Sequence, residues 1–189
     1  MKKRLFIALD ISDEARDSAT QYIQQMAEKF NHVAVKWERP EKLHLTLKFL
    51  GSVEEHLISK IIDLVDRTAR ATKPFTIEIR GTGTFPSAKN PQVLWLGVHE
   101  STSAMKVLAK HIDESCAEVG FEQQKRTFKP HLTLGRIRDQ QGAAELGKQH
   151  VGNTFDPINF LCRELVIYES HLGRSGSIYE KLHTSRFNS

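Results

Sequence analysis

Three observations predict an α+β fold built from two pseudo-symmetric lobes, each an antiparallel sheet with helices on its outer face, around a central cleft. The tetrapeptide His-Leu-Thr-Leu occurs twice, at His44 to Leu47 and at His131 to Leu134. The elements before each copy repeat as well. Strand-like runs at Leu5 and Leu94, helix-like runs at Ser12 and Ser101, and the motifs themselves stand apart by 89 (94 − 5), 89 (101 − 12) and 87 (131 − 44) residues. Helices and strands also alternate without the long parallel crossovers of a doubly wound fold. The chain, residues 1–189, is assigned to one bilobal domain, near the upper end of what a single core serves.

The first strand is the apolar run Arg4 to Leu9. Ala15, Ala19, Tyr22, Ile23, Met26, Ala27 and Phe30 then recur at helical spacing and predict a helix from Ser12 to Lys29. His32 to Trp37 reads as a strand, Arg39-Pro40-Glu41 as a turn, and Leu43 to Leu50 as a strand closed by Gly51. Ser52 with Glu55 makes a capping-box pattern opening a helix whose apolar face is Leu57, Ile58, Ile61, Ile62, Leu64 and Val65. Phe75 to Ile79 alternates with the period of a half-buried strand, and a loop is expected over Gly81 to Pro91. Strand Val93 to Val98, helix Ser101 to Glu118, strand His131 to Ile137 and helix Gln140 to His150 follow. Phe155 to Phe160, Glu164 to Ser170 and Ser177 to His183 complete the strands.

Composition narrows the function classes. With 39% hydrophobic and 26% charged residues and a mean hydropathy of −0.41, the chain suits neither a disordered protein nor a membrane span. Its opening Met-Lys-Lys-Arg precedes an apolar stretch too short for an export signal, from Leu5 to Leu9, so a buried strand is expected there. Cys116 and Cys162 show no paired spacing, which fits a reducing cytoplasm. Lys plus Arg exceed Asp plus Glu by 27 to 23, a modest bias toward anionic partners. That bias is concentrated near the second motif: no acid lies between Glu122 and Asp139, while Lys125, Arg126, Lys129, Arg136 and Arg138 do.

In an extended strand, residues two apart project from one face, so each motif offers an imidazole and a hydroxyl side by side while its leucines turn inward. Two such strands facing each other would bring His44, Thr46, His131 and Thr133 into one cleft. A neutral imidazole can deprotonate a nucleophile while an imidazolium protonates a leaving oxygen, and the ordinary histidine pKa of about 6.5 allows both forms near neutrality. The threonine hydroxyls could hydrogen-bond non-bridging phosphate oxygens. A zinc site is the rival reading, but it needs three or four ligands and the motifs supply two; no metal or other cofactor is expected. Arg136 is the candidate phosphate contact, although strict alternation puts it on the leucine face unless Gly135 hosts a bulge. Lys48 is in phase with His44 and Thr46 and is a second substrate-binding candidate. Phe49, Phe128 and Trp37 could stack on a base or simply pack in the core. His32, His56, His99, His111, His150, His171 and His183 lack a matching partner and are assigned no role.

These residues carry a resemblance. The paired His-x-Thr-x motifs, the second continuing as Gly135-Arg136, are similar to those of the two-histidine phosphoesterase superfamily. Arg4 to Asp10, Lys48-Phe-Leu-Gly51 and Val93 to Val98 resemble its bacterial RNA 2′,3′-cyclic phosphodiesterase branch, historically called RNA 2′–5′ ligases. The resemblance spans the whole chain. It implies hydrolysis of RNA 2′,3′-cyclic phosphate ends to 2′-phosphomonoesters, with His44 as proton donor, His131 as acceptor, and Thr46, Thr133 and Arg136 on the phosphate. It leaves open 2′–5′ ligation by the same site, or an RNA-end-binding protein without turnover. The partner expected is RNA with cyclic phosphate ends, tRNA fragments included, acted on by a cytoplasmic monomer.

Overall fold

The computed structural model describes residues 1–125, 127–173 and 176–188. Among these residues there are nine strands, four α-helices and two short 3-10 turns. The chain order is β1 (Lys2–Asp10), α1 (Asp13–Lys29), β2 (Val35–Trp37), β3 (His44–Glu54), α2 (Ile58–Arg70), β4 (Phe75–Ser87), β5 (Asn90–His99), α3 (Ala104–Glu118), β6 (His131–Ile137), α4 (Ala143–Gly152), β7 (Ile158–Cys162), β8 (Glu164–Gly173) and β9 (Gly176–Arg186). The strands form two antiparallel sheets, ordered β3-β1-β8-β9 and β2-β6-β5-β4-β7.

The repeat is visible in these orders. Strands β3-β1 in the first sheet correspond to β6-β5 in the second, and β3 meets β6 where the sheets adjoin. Ala8 pairs with Thr46 as Trp95 pairs with Thr133, and Asp10 with His44 as Gly97 with His131. Structural equivalence of β1 and β5 therefore runs two residues off the match of Leu5 with Leu94.

The helices are exchanged between the sheets. Helix α1 follows β1 but packs against β2 and β7 of the second sheet, beside α4, which covers β4 and β5. Helix α3 follows β5 but packs on β3 and α2, and α2 covers β8 and β9 of the first sheet. Apolar side chains of both sheets and all four helices consequently form one continuous buried core, from Leu5, Ile7 and Leu9 through Leu45 and Leu132 to Leu94 and Leu96. Helix α1 is held at its start by Ser12, whose Oγ accepts the Ala15 N–H at 3.2 Å, with Asp13 and Glu14 in the first turn.

Several boundaries differ from the sequence reading. Ser52 is no helix cap: β3 runs to Glu54 because its backbone pairs with β1 as far as Lys2, and α2 opens after a 3-10 turn at Glu55–Leu57. Gly51 pairs with Leu5 next to a bulge at Leu50 and is not the strand's end. The segment expected as a loop, Gly81 to Pro91, is mostly strand, turning only between the paired Ser87 and Asn90. Its glycines serve the sheet. Gly81, at φ +72°, sits in a register shift of β4 on β5, and a Cβ at Gly83 would stand 2.1 Å from the Trp95 ring. The predicted strand His32 to Trp37 shrinks to Val35–Trp37 and joins β6 in the second sheet. The strand expected at Phe155 to Phe160 lies at Ile158–Cys162.

Candidate active site

Each motif carries the same local device. The Nδ1–H of His44 donates to the Lys42 carbonyl at 2.6 Å, and that of His131 to the Lys129 carbonyl at 2.7 Å. A carbonyl can only accept, so the neutral rings carry their proton on Nδ1 and leave Nε2 for chemistry. The Thr46 hydroxyl donates to His44 Nε2 at 2.9 Å. Leu45, Leu47, Leu132 and Leu134 are buried in the core, while both histidines and both threonines are half-buried on the opposite face.

Matching bulges follow each motif and reverse the side-chain parity. On β3, Ile7 pairs with Lys48 and Ala8 with Thr46, so Leu47 is an extra residue; on β6, Leu94 pairs with Gly135 and Trp95 with Thr133, so Leu134 is extra. Arg136, opposite Val93, thereby comes to the face of His131 and Thr133, and Phe49, opposite Phe6, to the face of His44 and Thr46. Phe49 is 65% exposed. The same reversal takes Lys48 off the cleft. It is 1% exposed on the core side, with its ammonium bonded to Asp113 Oδ1 at 2.5 Å and to the Glu122 carbonyl at 2.6 Å. Strict alternation therefore misplaced Lys48, whose side chain lies on the core side and not on the face of His44 and Thr46. Trp37 and Phe128 pack against the core, Trp37 over Gly135. Arg126 lies outside the described residues.

The electrostatics differ between the two histidines. Burial pushes His44 down to about 4, opposed by its hydrogen bond to Lys42 and by the charge of Asp10, and reinforced by Arg16 and Arg136. Burial also lowers His131, again opposed by a carbonyl bond and reinforced by Arg136. The Arg136 guanidinium thus acts on both imidazoles, and its nearest acid is Glu38, with Nε 4.0 Å from Oε1. Burial thus favours the neutral form of both rings.

Around His44 the sequence reading missed an aromatic and acidic surround. The rings of Phe6, Tyr168 and Tyr179 lie with centroids 4.8, 5.7 and 5.4 Å from the imidazole. Asp10, opposite His44 in the ladder, accepts hydrogen bonds from the Tyr168 hydroxyl and the Lys181 ammonium. Counting alternate residues back along β1 from Asp10 to Ala8 and Phe6 would have found this face. His131 has Phe85 edge-on at 5.0 Å and Trp95 at 6.4 Å. Behind Trp95, the fully buried His150 donates from Nε2 to the Gly83 and Trp95 carbonyls, and its Nδ1 accepts from the Tyr22 hydroxyl at 2.8 Å. Among the described residues no three His, Cys, Asp or Glu side chains gather as metal ligands.

Residues 12–174 match the sequence profile of the 2'-5' RNA ligase superfamily. The chain belongs to that superfamily. Proteins named RNA 2',3'-cyclic phosphodiesterase, from Methanothermobacter thermautotrophicus and Thermotoga maritima, are 33% and 32% identical to it, covering 98% and 97% of this chain and 100% and 95% of their own. A solved Thermus thermophilus protein superposes with TM-score 0.80 at 26% identity, covering 97% of each chain. E. coli LigT superposes with TM-score 0.77 at 25% identity, over 100% of this chain and 99% of its own. This member of the 2'-5' RNA ligase superfamily thus shares the two-sheet α+β architecture of solved relatives, and its His-x-Thr-x pairs lie on β3 and β6, the strands that meet where the two sheets adjoin. No helix among its described residues is long and apolar enough to cross a membrane.

Proposed function

We propose that this chain hydrolyses RNA 2′,3′-cyclic phosphate ends to 2′-phosphomonoesters by metal-independent acid–base catalysis. The observation that carries the reading is the paired device just described: two imidazoles of one tautomer on β3 and β6, which meet where the sheets adjoin, with a guanidinium acting on both. Near full-length relatives named for this activity support it. So does E. coli LigT, 26% identical, solved in complex with 3'-AMP, a nucleoside phosphate.

In this reading His131 Nε2 takes a proton from water as its oxygen bonds to phosphorus, and the P–O3′ bond breaks. His44, protonated once the phosphate anion is bound, donates its Nε2 proton to O3′. The products are a 2′-phosphate and a 3′-hydroxyl, and solvent returns His131 to the neutral form and His44 to the protonated one. Thr46, Thr133 and Arg136 hold the non-bridging oxygens. The exposed Phe49 ring offers a stacking surface for the base. Burial disfavours the cationic form of His44, so the assignment of His44 as the acid leans on Asp10, which opposes that effect and has only Gly97 at the matching place beside His131, and on the bound phosphate anion.

The superfamily's name favours a second use of the site, 2′–5′ joining of the cyclic phosphate to a 5′-hydroxyl end, in which that hydroxyl attacks phosphorus in place of water while the P–O3′ bond breaks. The whole chain is proposed to act as one bilobal domain, as a cytoplasmic monomer, with tRNA fragments among its RNAs. Turnover of a short cyclic-phosphate oligoribonucleotide in EDTA, with identification of the product isomer, tests the reading. A 3′-phosphate product, or activity that depends wholly on added metal, overturns it.

A further inference from the structure

Lys48 is buried where its counterpart in the other lobe, Gly135, has no side chain at all, and it is bonded in a way that core filling does not require. Its ammonium donates to the Asp113 carboxylate of α3 and to the Glu122 carbonyl at the start of the run that leads from α3 to β6. The same carboxylate accepts the Gln124 backbone N–H at 3.1 and 3.2 Å. The Gln124 side-chain amide in turn donates to the carbonyl of Leu47, the extra residue of the β3 bulge, at 3.1 Å. Four residues thus close a ring that fastens the strand of the first motif to the segment feeding the second. Further along that segment, the Lys129 carbonyl fixes the tautomer of His131.

We infer that Lys48 is a positioning residue for His131: through Asp113, Glu122 and Gln124 it holds the α3–β6 connection against the β3 bulge, so that the Lys129 carbonyl stays under His131 Nδ1. The inference rests on the proposed role of His131 as the base. Its chemical sense lies in the direction of the bonds. An ammonium supplies three donors, and here they meet a carboxylate and a backbone carbonyl that an apolar side chain would leave unpaired. A buried pair of this kind contributes little stability over apolar replacements of both partners, yet removal of one partner is costly. Geometry therefore separates from stability.

The experiment compares Lys48→Met and the double variant Lys48→Met/Asp113→Leu with wild type, reading melting temperature, kcat and KM on a mononucleotide cyclic phosphate, and the 15N signals of both active-site imidazoles. Lys48→Met should lower kcat by about 10–100-fold, the range for supports of a reacting group, with KM little changed. The His131 signals should move toward a mixture of tautomers while those of His44 stay in place. The double variant should recover only part of the melting temperature, because the Glu122 carbonyl and the Gln124 N–H lose their partners, and should not recover kcat or the His131 signals. Recovery of all three together, wild-type kcat in Lys48→Met, or equal disturbance of both histidines would overturn the inference. If wild type itself fails to turn over the substrate, the proposed reaction falls, and the His131 tautomer in the variants still decides the positioning.

Discussion

Asp10 stands directly across the β1–β3 ladder from His44, whereas the residue in the same place across from His131 is Gly97. The two lobes match closely in backbone but differ in charge beside the imidazole, and Asp10 opposes the burial that pushes His44 down. Removing that carboxylate as Asp10→Asn should lower the basicity of His44 in the substrate complex by up to about one pH unit, the low end for a nearby opposite charge. With His44 as the proposed proton donor, the alkaline limb of the kcat profile should move to lower pH. The acid limb, set by His131, should stay. A shift of the acid limb alone would assign the proton donor to His131.

Replacing either histidine with alanine should reduce kcat by about 10²–10⁴-fold. A substrate with a phenolate leaving group needs little protonation, so it should rescue His44→Ala and leave His131→Ala impaired. The ratio of the kcat/KM deficits on the two substrates measures this.

Arg136 acts on both imidazoles and is brought to the face of His131 and Thr133 by the β6 bulge. Arg136→Lys keeps the charge but loses the planar fork, so it should raise KM and lower kcat despite its conservative label. Added salt should weaken cleavage of a long RNA more than that of a mononucleotide, because only the longer chain adds backbone phosphate contacts. Steady-state kinetics on both substrates, from low to moderate salt, checks each outcome.

Stability should fall on the acid side of neutrality. Burial lowers His44, His131 and His150 below the ordinary histidine value, His44 to about 4. The unfolded chain therefore binds more protons than the folded one at mildly acid pH, and stability drops as pH falls below about 6.5. The loss continues until the folded-state values are passed. Thermal melts across pH 4.5–8 should show this slope, and His150→Gln should flatten it even if it lowers the melting temperature throughout. A bound cyclic-phosphate analogue should reduce the slope further by favouring protonated His44.

The motifs, their shared face and the repeat were legible in the sequence because period-two alternation and a duplicated tetrapeptide are local signals. Arg136 was legible through Gly135, a residue that suits a bulge. Lys48 was not, because the equivalent bulge at Leu47 carries no glycine and only the pairing of Ile7 with Lys48 reveals the reversal. Likewise the glycines and prolines of Gly81 to Pro91 suggested a loop, although Gly83 makes room for Trp95 inside a sheet. Asp10, Tyr168 and Tyr179 meet His44 from strands that are distant in sequence. Helix placement was also hidden, since nothing in the periodicity of α1 names the sheet it covers.

That crossing of helices makes the molecule an intramolecular domain swap, in which each repeat wears the helix of the other. A chain cut at the hairpin turn between β4 and β5 gives fragments that each hold one motif, yet α1 is severed from β7 and α3 from β3. Each fragment loses a helix that covers its strands, so each alone should stay unfolded or aggregate. Mixed together, they should reassemble and bring His44 and His131 back to one cleft.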